Sequence, residues 1–538
     1  MSTGSSTNAV LVALLLGGAL QAQERIWTLA GGGNDWFSID AFGDFDGDGA
    51  QDILAGVVWN IVNPTANGGG IRILSGATGA TLHQRVTGSV IRDAGDMDND
   101  GQRDFAMLSP GPLLQTVSVN MVSFATNQIL WFVYGPPYFG TLGQRWTNQM
   151  CGNLDLDGDG RPDLVAITSD VRESDVYAYN NAGTLLYRLP VRAFGWVALN
   201  VVAMPDMDGD GCAEFLVGCI EPSGRGAVVV VSGRTGAIGR ISYGLLPGDS
   251  IGGAICNAGD VDQDGMADYA AASYWSSPLT SIVIYSGRTG AVIRSWNDYW
   301  TGDGGMIGNL DVDLDGVPDL LVGNGGWIAH PGVYGQVRAY SGRDGTVLWN
   351  HDAPGISDQI LPEPMIALGV QPGSPYPVFA FRDSWYYQGT SGVGRVIAVR
   401  TNLPGAGPVT GTPCSSGSSL PQIGMRLVPS GSRITIAKGP PGAIGFLIGG
   451  PASQTNYGSL SLPLALDPYG LPGCSALVAP VVQVPVILGT SGLDRGYAAV
   501  DLPWIPSPSG TALAAQWIVW DPATGSFATT ARHEFRVQ

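Results

Sequence analysis

One nine-residue pattern, Asp-x-Asp-x-Asp-Gly-x-x-Asp, recurs six times in this chain, each copy followed by a short apolar run. Four carboxylates in nine residues repel one another strongly unless a cation sits among them. Hard oxygen ligands at alternating positions suit Ca²⁺, which takes six to eight oxygens in flexible geometry. Glycine at position six permits the sharp turn that points positions one, three and five inward. Position seven is expected to give only its backbone carbonyl, so its side chain is free to vary.

The predicted ligands of loop one are Asp44, Asp46, Asp48, Ala50 and Asp52, and those of loop two are Asp96, Asp98, Asp100, Gln102 and Asp104. Loop three supplies Asp155, Asp157, Asp159, Arg161 and Asp163, and loop four supplies Asp206, Asp208, Asp210, Cys212 and Glu214. Loop five supplies Asp260, Asp262, Asp264, Met266 and Asp268, and loop six supplies Asp311, Asp313, Asp315, Val317 and Asp319. Glu214 replaces aspartate at position nine, and its longer side chain can still bind in a bidentate way. The expected cofactor is therefore Ca²⁺, about six ions with a structural role.

The first aspartates are 52, 59, 51, 54 and 51 residues apart. A period near 50 signals one supersecondary unit per repeat. Each unit reads as a strand before the loop (Ser38–Phe42, Val201–Met204), a second after it (Ile53–Val57, Leu164–Thr168, Phe215–Cys219, Leu320–Gly323), a third ending in a Gly turn, and a fourth. The turns are alike, as in Ser75-Gly76-Ala77-Thr78-Gly79 and Ser286-Gly287-Arg288-Thr289-Gly290. Four antiparallel strands per unit make a propeller blade. A seventh unit lacks the metal pattern: Val370, Pro372, Ser374 and Val378 stand where its four acids would be. Its third strand is Arg395–Val399, and Glu24–Leu29 resembles the missing fourth, so that segment is expected to close the ring and remove free sheet edges.

The fold class expected is thus all-β: a seven-bladed β-propeller with metal loops in six blades, followed by a small β-sandwich-like domain. The boundaries are 1–22 for a signal peptide, 23–402 for the propeller, 403–413 for a Pro/Gly linker and 414–538 for the second domain. In that domain the repeat is lost, and alternating apolar runs return at Arg433–Ile436, Ile444–Ile448, Gln483–Leu488 and Ala515–Trp520. Val10–Leu20 is an apolar run too short to span a bilayer, and the small residue Ala22 suits cleavage. Export to the cell surface, periplasm or medium is expected, with no membrane span after signal removal.

The net charge of −19 comes largely from the loops, and six bound dications would bring it to about −7. Lys438 is the one lysine. That balance argues against nucleic acid and anionic membranes as partners.

Ala41-Phe42-Gly43-Asp44-Phe45-Asp46-Gly47-Asp48-Gly49 resembles the FG-GAP repeat. The array over residues 24–402 is similar to the seven-bladed propeller of integrin alpha subunits and to VCBS-type repeats of bacterial secreted proteins. Six metal loops place it nearer the bacterial members. The resemblance implies Ca²⁺ loops on the lower face and a ligand surface on the opposite face, and it names no ligand.

Aromatic residues are the candidates for that surface. Trp59, Trp275, Trp327 and Trp385 follow second strands, and Trp36, Trp146 and Trp196 precede first strands. Such rings stack on sugars or anchor proteins, and they also pack between blades. Cys414 and Cys474 are expected to pair, which leaves Cys151, Cys212, Cys219 and Cys256 unassigned. The histidines His83, His330, His351 and His533 are scattered, and HExxH, GxSxG and P-loop patterns are absent. No catalytic residue is therefore assigned. A non-catalytic recognition module for a protein or glycan is expected; the alternatives are a carbohydrate-active enzyme, whose two acids could hide anywhere, and a structural envelope protein.

Overall fold

The computed structural model describes residues 24–536 apart from 31–35, 59–69, 86–89, 111–116, 135–149, 169–173, 222–223, 247, 274–280, 298–304, 325–335, 353–364, 384–394, 402–405, 416–419, 429–430, 458–459, 468–473 and 504–511. Their strands form seven four-stranded antiparallel sheets and, beyond residue 405, a domain of two main sheets and two short two-stranded ribbons. Blade one comprises Trp36–Ala41, Ile53–Val58, Ile71–Leu74 and Thr81–Arg85, and blades two to six repeat that order. Blade seven joins Met365–Val370, Pro377–Asp383 and Arg395–Arg400 to Glu24–Ala30. In that seam Glu24 lies opposite Arg400 and Ala30 opposite Arg395. The first strand of each blade touches the first strand of the next, and that of blade seven touches that of blade one, so the sheets form a closed ring.

The core follows from this ring. Successive side chains of a strand point to opposite faces, and here each face meets a neighbouring blade. In Asp163–Ile167, Val165 and Ile167 pack with blade four while Leu164 and Ala166 pack with blade two. Seven apolar clusters result, one at each seam between consecutive blades. That is why the second strands read as unbroken apolar runs instead of alternating ones.

The fourth strand of a blade also reaches into the last turn of the next. The indole N–H of Trp27 donates to the Gly76 carbonyl at 2.8 Å, that of Trp131 to Asn181 at 2.8 Å, and the Tyr187 hydroxyl to Gly233 at 2.7 Å. At the next two seams Arg240 donates to the Gly287 carbonyl, and Trp296 donates to Gly345 at 2.7 Å.

Beyond the ring, Gln422–Val428, Gly431–Ala437 and Ala498–Pro503 form one sheet. It packs on a second sheet holding Ile444–Pro451, Val482–Ile487 and Ala512–Asp521, with Trp517 fully buried between them. One boundary differs from the sequence reading. Ala406–Thr410, inside the expected linker, is an edge strand paired with Arg532–Arg536. Its Gly/Pro composition suits a linker locally, whereas its partner lies more than 100 residues away along the chain.

Candidate metal centres

In each acidic loop the chain leaves the first strand of a blade, turns, and enters the second. The turn is built on carboxylates that accept backbone N–H groups. Asp44 accepts from Gly47 at 2.8 Å and Gly49 at 2.9 Å; Asp48 accepts from Ala50 at 2.7 Å. In loop five Asp260 accepts from Asp264, at position five, and from Gly265, and Asp264 accepts from Met266. Position six takes positive φ in all six loops (Gly49 +86° to Gly316 +85°), as the turn requires. Position four is left-handed as well, and there the residues include Asn99, Gln263 and Leu314.

Position nine ties the loop to the turn between the third and fourth strands. One oxygen of Asp52 accepts from Phe45 N–H at 2.7 Å and the other from Gly76 N–H at 2.9 Å. Asp104, Asp268 and Asp319 bind Phe124, Gly287 and Gly342 in the same way at 2.8–2.9 Å. A Cβ at Gly76 would meet the Gln51 carbonyl at 1.9 Å, so glycine is obligatory there. In loop four the extra methylene of Glu214 changes the pattern: Oε2 accepts from Met207, while Oε1 is buried without a hydrogen-bond partner.

A second recurring contact lies outside the nine-residue pattern. The arginine of the Ser-Gly-Arg turn grips position five through its side chain and its carbonyl. Arg288 does so on Asp264 at 2.9 and 2.8 Å, and Arg343 on Asp315 at 2.9 and 3.1 Å. Arg234 holds Asp210 likewise, and Asn181 takes the place of arginine in loop three. The signal was present in the turns of blades four to six, which share Ser-Gly-Arg.

The donor set fits a hard divalent cation. Asp206, Asp208, Asp210 and Glu214 can each offer an oxygen within 4.8 Å of the others, and loops one, two, three and five each bring three acids as close. Burial, and then like charges, raise the position-nine acids. Asp163 is pushed up to about 7 by desolvation, with Asp157, Asp159 and Asp155 adding to it. Glu214 likewise reaches about 7, and Asp104 and Asp268 about 6. A dication among these oxygens removes the cause of the repulsion.

Loop six differs in its surroundings. Asp313 and Asp315 are each 1% exposed, whereas Asp46 and Asp48 of loop one are open to water. The second domain covers loop six. Arg426 reaches Asp313 at 3.4 Å and pairs with Asp344. A Cβ on Gly424 would meet the Asp313 carbonyl at 2.2 Å, so the two backbones touch. The turn of blade seven that lacks the acids lies under the same domain, where the Tyr376 hydroxyl bonds Nε2 of His533. His533 donates from Nδ1 to the Glu534 carbonyl, and burial holds its pKa down at about 4, so the ring is neutral.

Of the candidate ligand-binding aromatics, Trp59, Trp146, Trp275, Trp327 and Trp385 lie outside the described residues. Trp36 begins the first strand of blade one instead of preceding it. Trp196 is a core residue, not a rim one. It is 5% exposed, stacks on Phe194, and its N–H points to Glu221 at 3.3 Å. Cys414 and Cys474 form a disulfide with a Cα separation of 5.4 Å, and the four remaining cysteines are free thiols. His83 packs edge-on against Phe124 at 5.0 Å. An open cavity of about 570 Å³ lies beside loops three to five, between Asn153, Met204, Asn257 and Asn309. It is on the acidic-loop side of the ring. Among the described residues no helix is long and apolar enough to cross a membrane.

Comparison with known proteins agrees with the repeat. The FG-GAP-like repeat matches residues 155–217, which run from loop three into blade four. Integrin alpha-4 of Xenopus laevis is 29% identical over 160 residues, covering 26% of this chain and 15% of that protein. Integrin alpha-3 of Cricetulus griseus is 30% identical over 145 residues, covering 23% and 14%. The chain thus matches about a seventh of the length of these curated relatives. Among solved structures, BBS1N from its complex with ARL6DN covers 71% of this chain and 97% of its own, at 11% identity and a TM-score of 0.42. The Dos1 propeller covers 71% and 96%, at 9% identity and a TM-score of 0.38. The ring itself rests on the strand pairing above. This chain carries an FG-GAP-like repeat and resembles integrin alpha chains over part of its length.

Proposed function

We propose that this chain is an exported propeller stapled by six Ca²⁺ ions, acting as a non-catalytic recognition module for a protein or glycan. One observation carries the reading. The clustered acids serve the turns that join strands, and the position-nine aspartates of five loops link each loop to the blade's own framework. Asp44, Asp46, Asp48, the Ala50 carbonyl and Asp52 would hold the first ion, and the corresponding residues the other five. The ion supplies charge neutralisation and rigidity. The protein's residues orient the turn, and through Arg234, Arg288 and Arg343 they fix the third-to-fourth-strand turns beside it. His83 and His533 are engaged in packing and in a domain contact.

Export rests on the apolar segment ahead of residue 23, and it would place the loops in millimolar Ca²⁺, where modest-affinity sites stay filled. The ligand surface proposed is the face opposite the metal loops, from the loops that carry Trp59, Trp275, Trp327 and Trp385. The net charge of −19 disfavours nucleic acid there.

The test is a glycan array probed with the purified protein, with Ca²⁺ and with chelator, reading each spot for retention and for cleavage. Retention without cleavage, lost on Trp327→Ala or Trp385→Ala, supports a lectin-like module. Cleavage of any glycan overturns the non-catalytic reading. Silence on all glycans, with capture of a protein ligand that the same variants abolish, supports the protein-binding form.

A further inference from the structure

The second domain sits on one metal loop out of six, and it buries that loop's acids. Strand Gln422–Val428 runs over loop six closely enough that Gly424 has no room for a side chain. Leu314 of the loop is buried, and its backbone carbonyl also lies against Gly424. Arg343 donates to the Leu493 carbonyl at 2.5 Å, and its guanidinium lies 3.6 Å from the centre of the Tyr497 ring.

The charges there do not balance. Asp311, Asp313, Asp315, Asp319, Asp344 and Asp494 bring six negative charges, and Arg294, Arg343, Arg426 and Lys438 bring four positive ones, which leaves two acids uncompensated. Burying an uncompensated charge costs several kcal/mol per ion in real proteins. One atom also shows where compensation is missing. Oδ1 of Asp313 is buried and has no hydrogen-bond partner, although Arg426 reaches the other oxygen of the same carboxylate. Arginine is therefore present, but it does not complete the site.

We propose that the sixth loop holds a divalent cation as an interdomain lock: the ion is trapped beneath the second domain, and the domain stays seated on the ring only while the ion is there. This rests on the proposal that the loops bind Ca²⁺, and it adds that the six sites differ in kind. The ligands would be Asp311, Asp313, Asp315, the Val317 carbonyl and Asp319, with Arg426 as the lid's own contact to them. Loops one to five exchange their ions with solvent directly. Loop six exchanges only when the second domain lifts.

The test uses the full chain loaded with radioactive Ca²⁺ and then mixed with excess chelator. Ion release is followed together with hydrogen exchange of the amides in Gln422–Val428. One ion in six should leave at least about tenfold more slowly than the rest, as expected if a local opening precedes its release. Protection of that strand should be lost at the rate of the slow ion. Asp313→Asn, close in shape to the native residue, should abolish the slow phase and leave the strand unprotected. Asp262→Asn in loop five should remove a fast ion and leave the strand protected. Six ions leaving at one rate, or a strand still protected after the slow ion has gone, would overturn the lock and leave calcium binding intact. A fast loss of strand protection before any slow ion leaves would overturn it too. Failure to retain any Ca²⁺ would sink the calcium reading itself, together with the lock.

Discussion

Loops five and six have almost the same backbone and different fates. In both, position one accepts the position-five and position-six amides at 2.9–3.0 Å, and position nine accepts the position-two amide at 2.7 Å. In both, an arginine grips position five at 2.9 Å. Yet Arg288 is about half exposed (52%) and Arg343 is 9% exposed. An exposed pair of this kind contributes at most about 1 kcal/mol, whereas a covered one must be compensated in full or it destabilises. The acidic ladder is thus a local property of nine residues. Its energetic weight is decided by chain that lies 100 residues further on.

The largest effect expected is on the ring as a whole. Removing Ca²⁺ with excess chelator should lower Tm by on the order of 10 °C or more, since each well-filled site adds roughly 2–3 kcal/mol by mass action. Calorimetry with and without chelator measures this. An unchanged Tm would mean that the loops hold their turns without ions. Within that total, Asp260→Ala should loosen blade five and leave the second domain seated, whereas Asp311→Ala should also free the second domain. Hydrogen exchange of the Gln422–Val428 amides separates the two, and equal protection in both variants would erase the distinction between the loops.

pH gives a second contrast. In the chelated protein, burial and neighbouring acids raise Asp163 and Glu214 to about 7 and Asp104 and Asp268 to about 6. A carboxyl raised on folding stabilises the fold fully below its unfolded value, near 4, and loses that contribution as pH rises through the folded value. The chelated protein should therefore melt at progressively lower temperature between about pH 5 and 8. With Ca²⁺ in excess the trend should vanish or reverse, because the ion favours the charged form that the empty loop disfavours. Melting curves at fixed ionic strength decide it; a chelated protein most stable at pH 8 would contradict the assignment.

Much of this was legible because the acidic loops are written locally. The acidic ladder, the obligatory glycine at position six and the turn that answers position nine all lie within one blade. So does the seventh unit, with Val370 and Pro372 in place of ligands; its partner strand at Glu24–Ala30 was legible only because it resembles other fourth strands. What could not be read depends on distant chain. Gly424 is needed because the Asp313 carbonyl lies against it, and Arg426 matters because it meets Asp313 and Asp344. Nothing near either residue announces that. Trp196 illustrates a different failure. An aromatic near a loop can face solvent or the next seam, and only the packing of Phe194 and blade three around it decides which.

The smallest effect predicted probes position four, where backbone strain and burial compete. Asn99 in open loop two and Leu314 in covered loop six both hold φ near +60° (60° and 58°). Asparagine tolerates the left-handed region; a γ-branched side chain such as leucine pays roughly 1 kcal/mol to sit there. On strain alone, glycine should help at both positions and help more at 314. Leu314, however, is 2% exposed beneath the second domain, and losing a buried leucine side chain costs about 2–3 kcal/mol or more. Asn99→Gly should therefore raise stability by a few tenths of a kcal/mol, whereas Leu314→Gly should lower it by about 1–2 kcal/mol. Paired chemical denaturation in Ca²⁺ gives both numbers. If Leu314→Gly proved the more stabilising of the two, the roof over loop six would be too loose to bury it, and the contrast between the covered and open loops would fail at its simplest point.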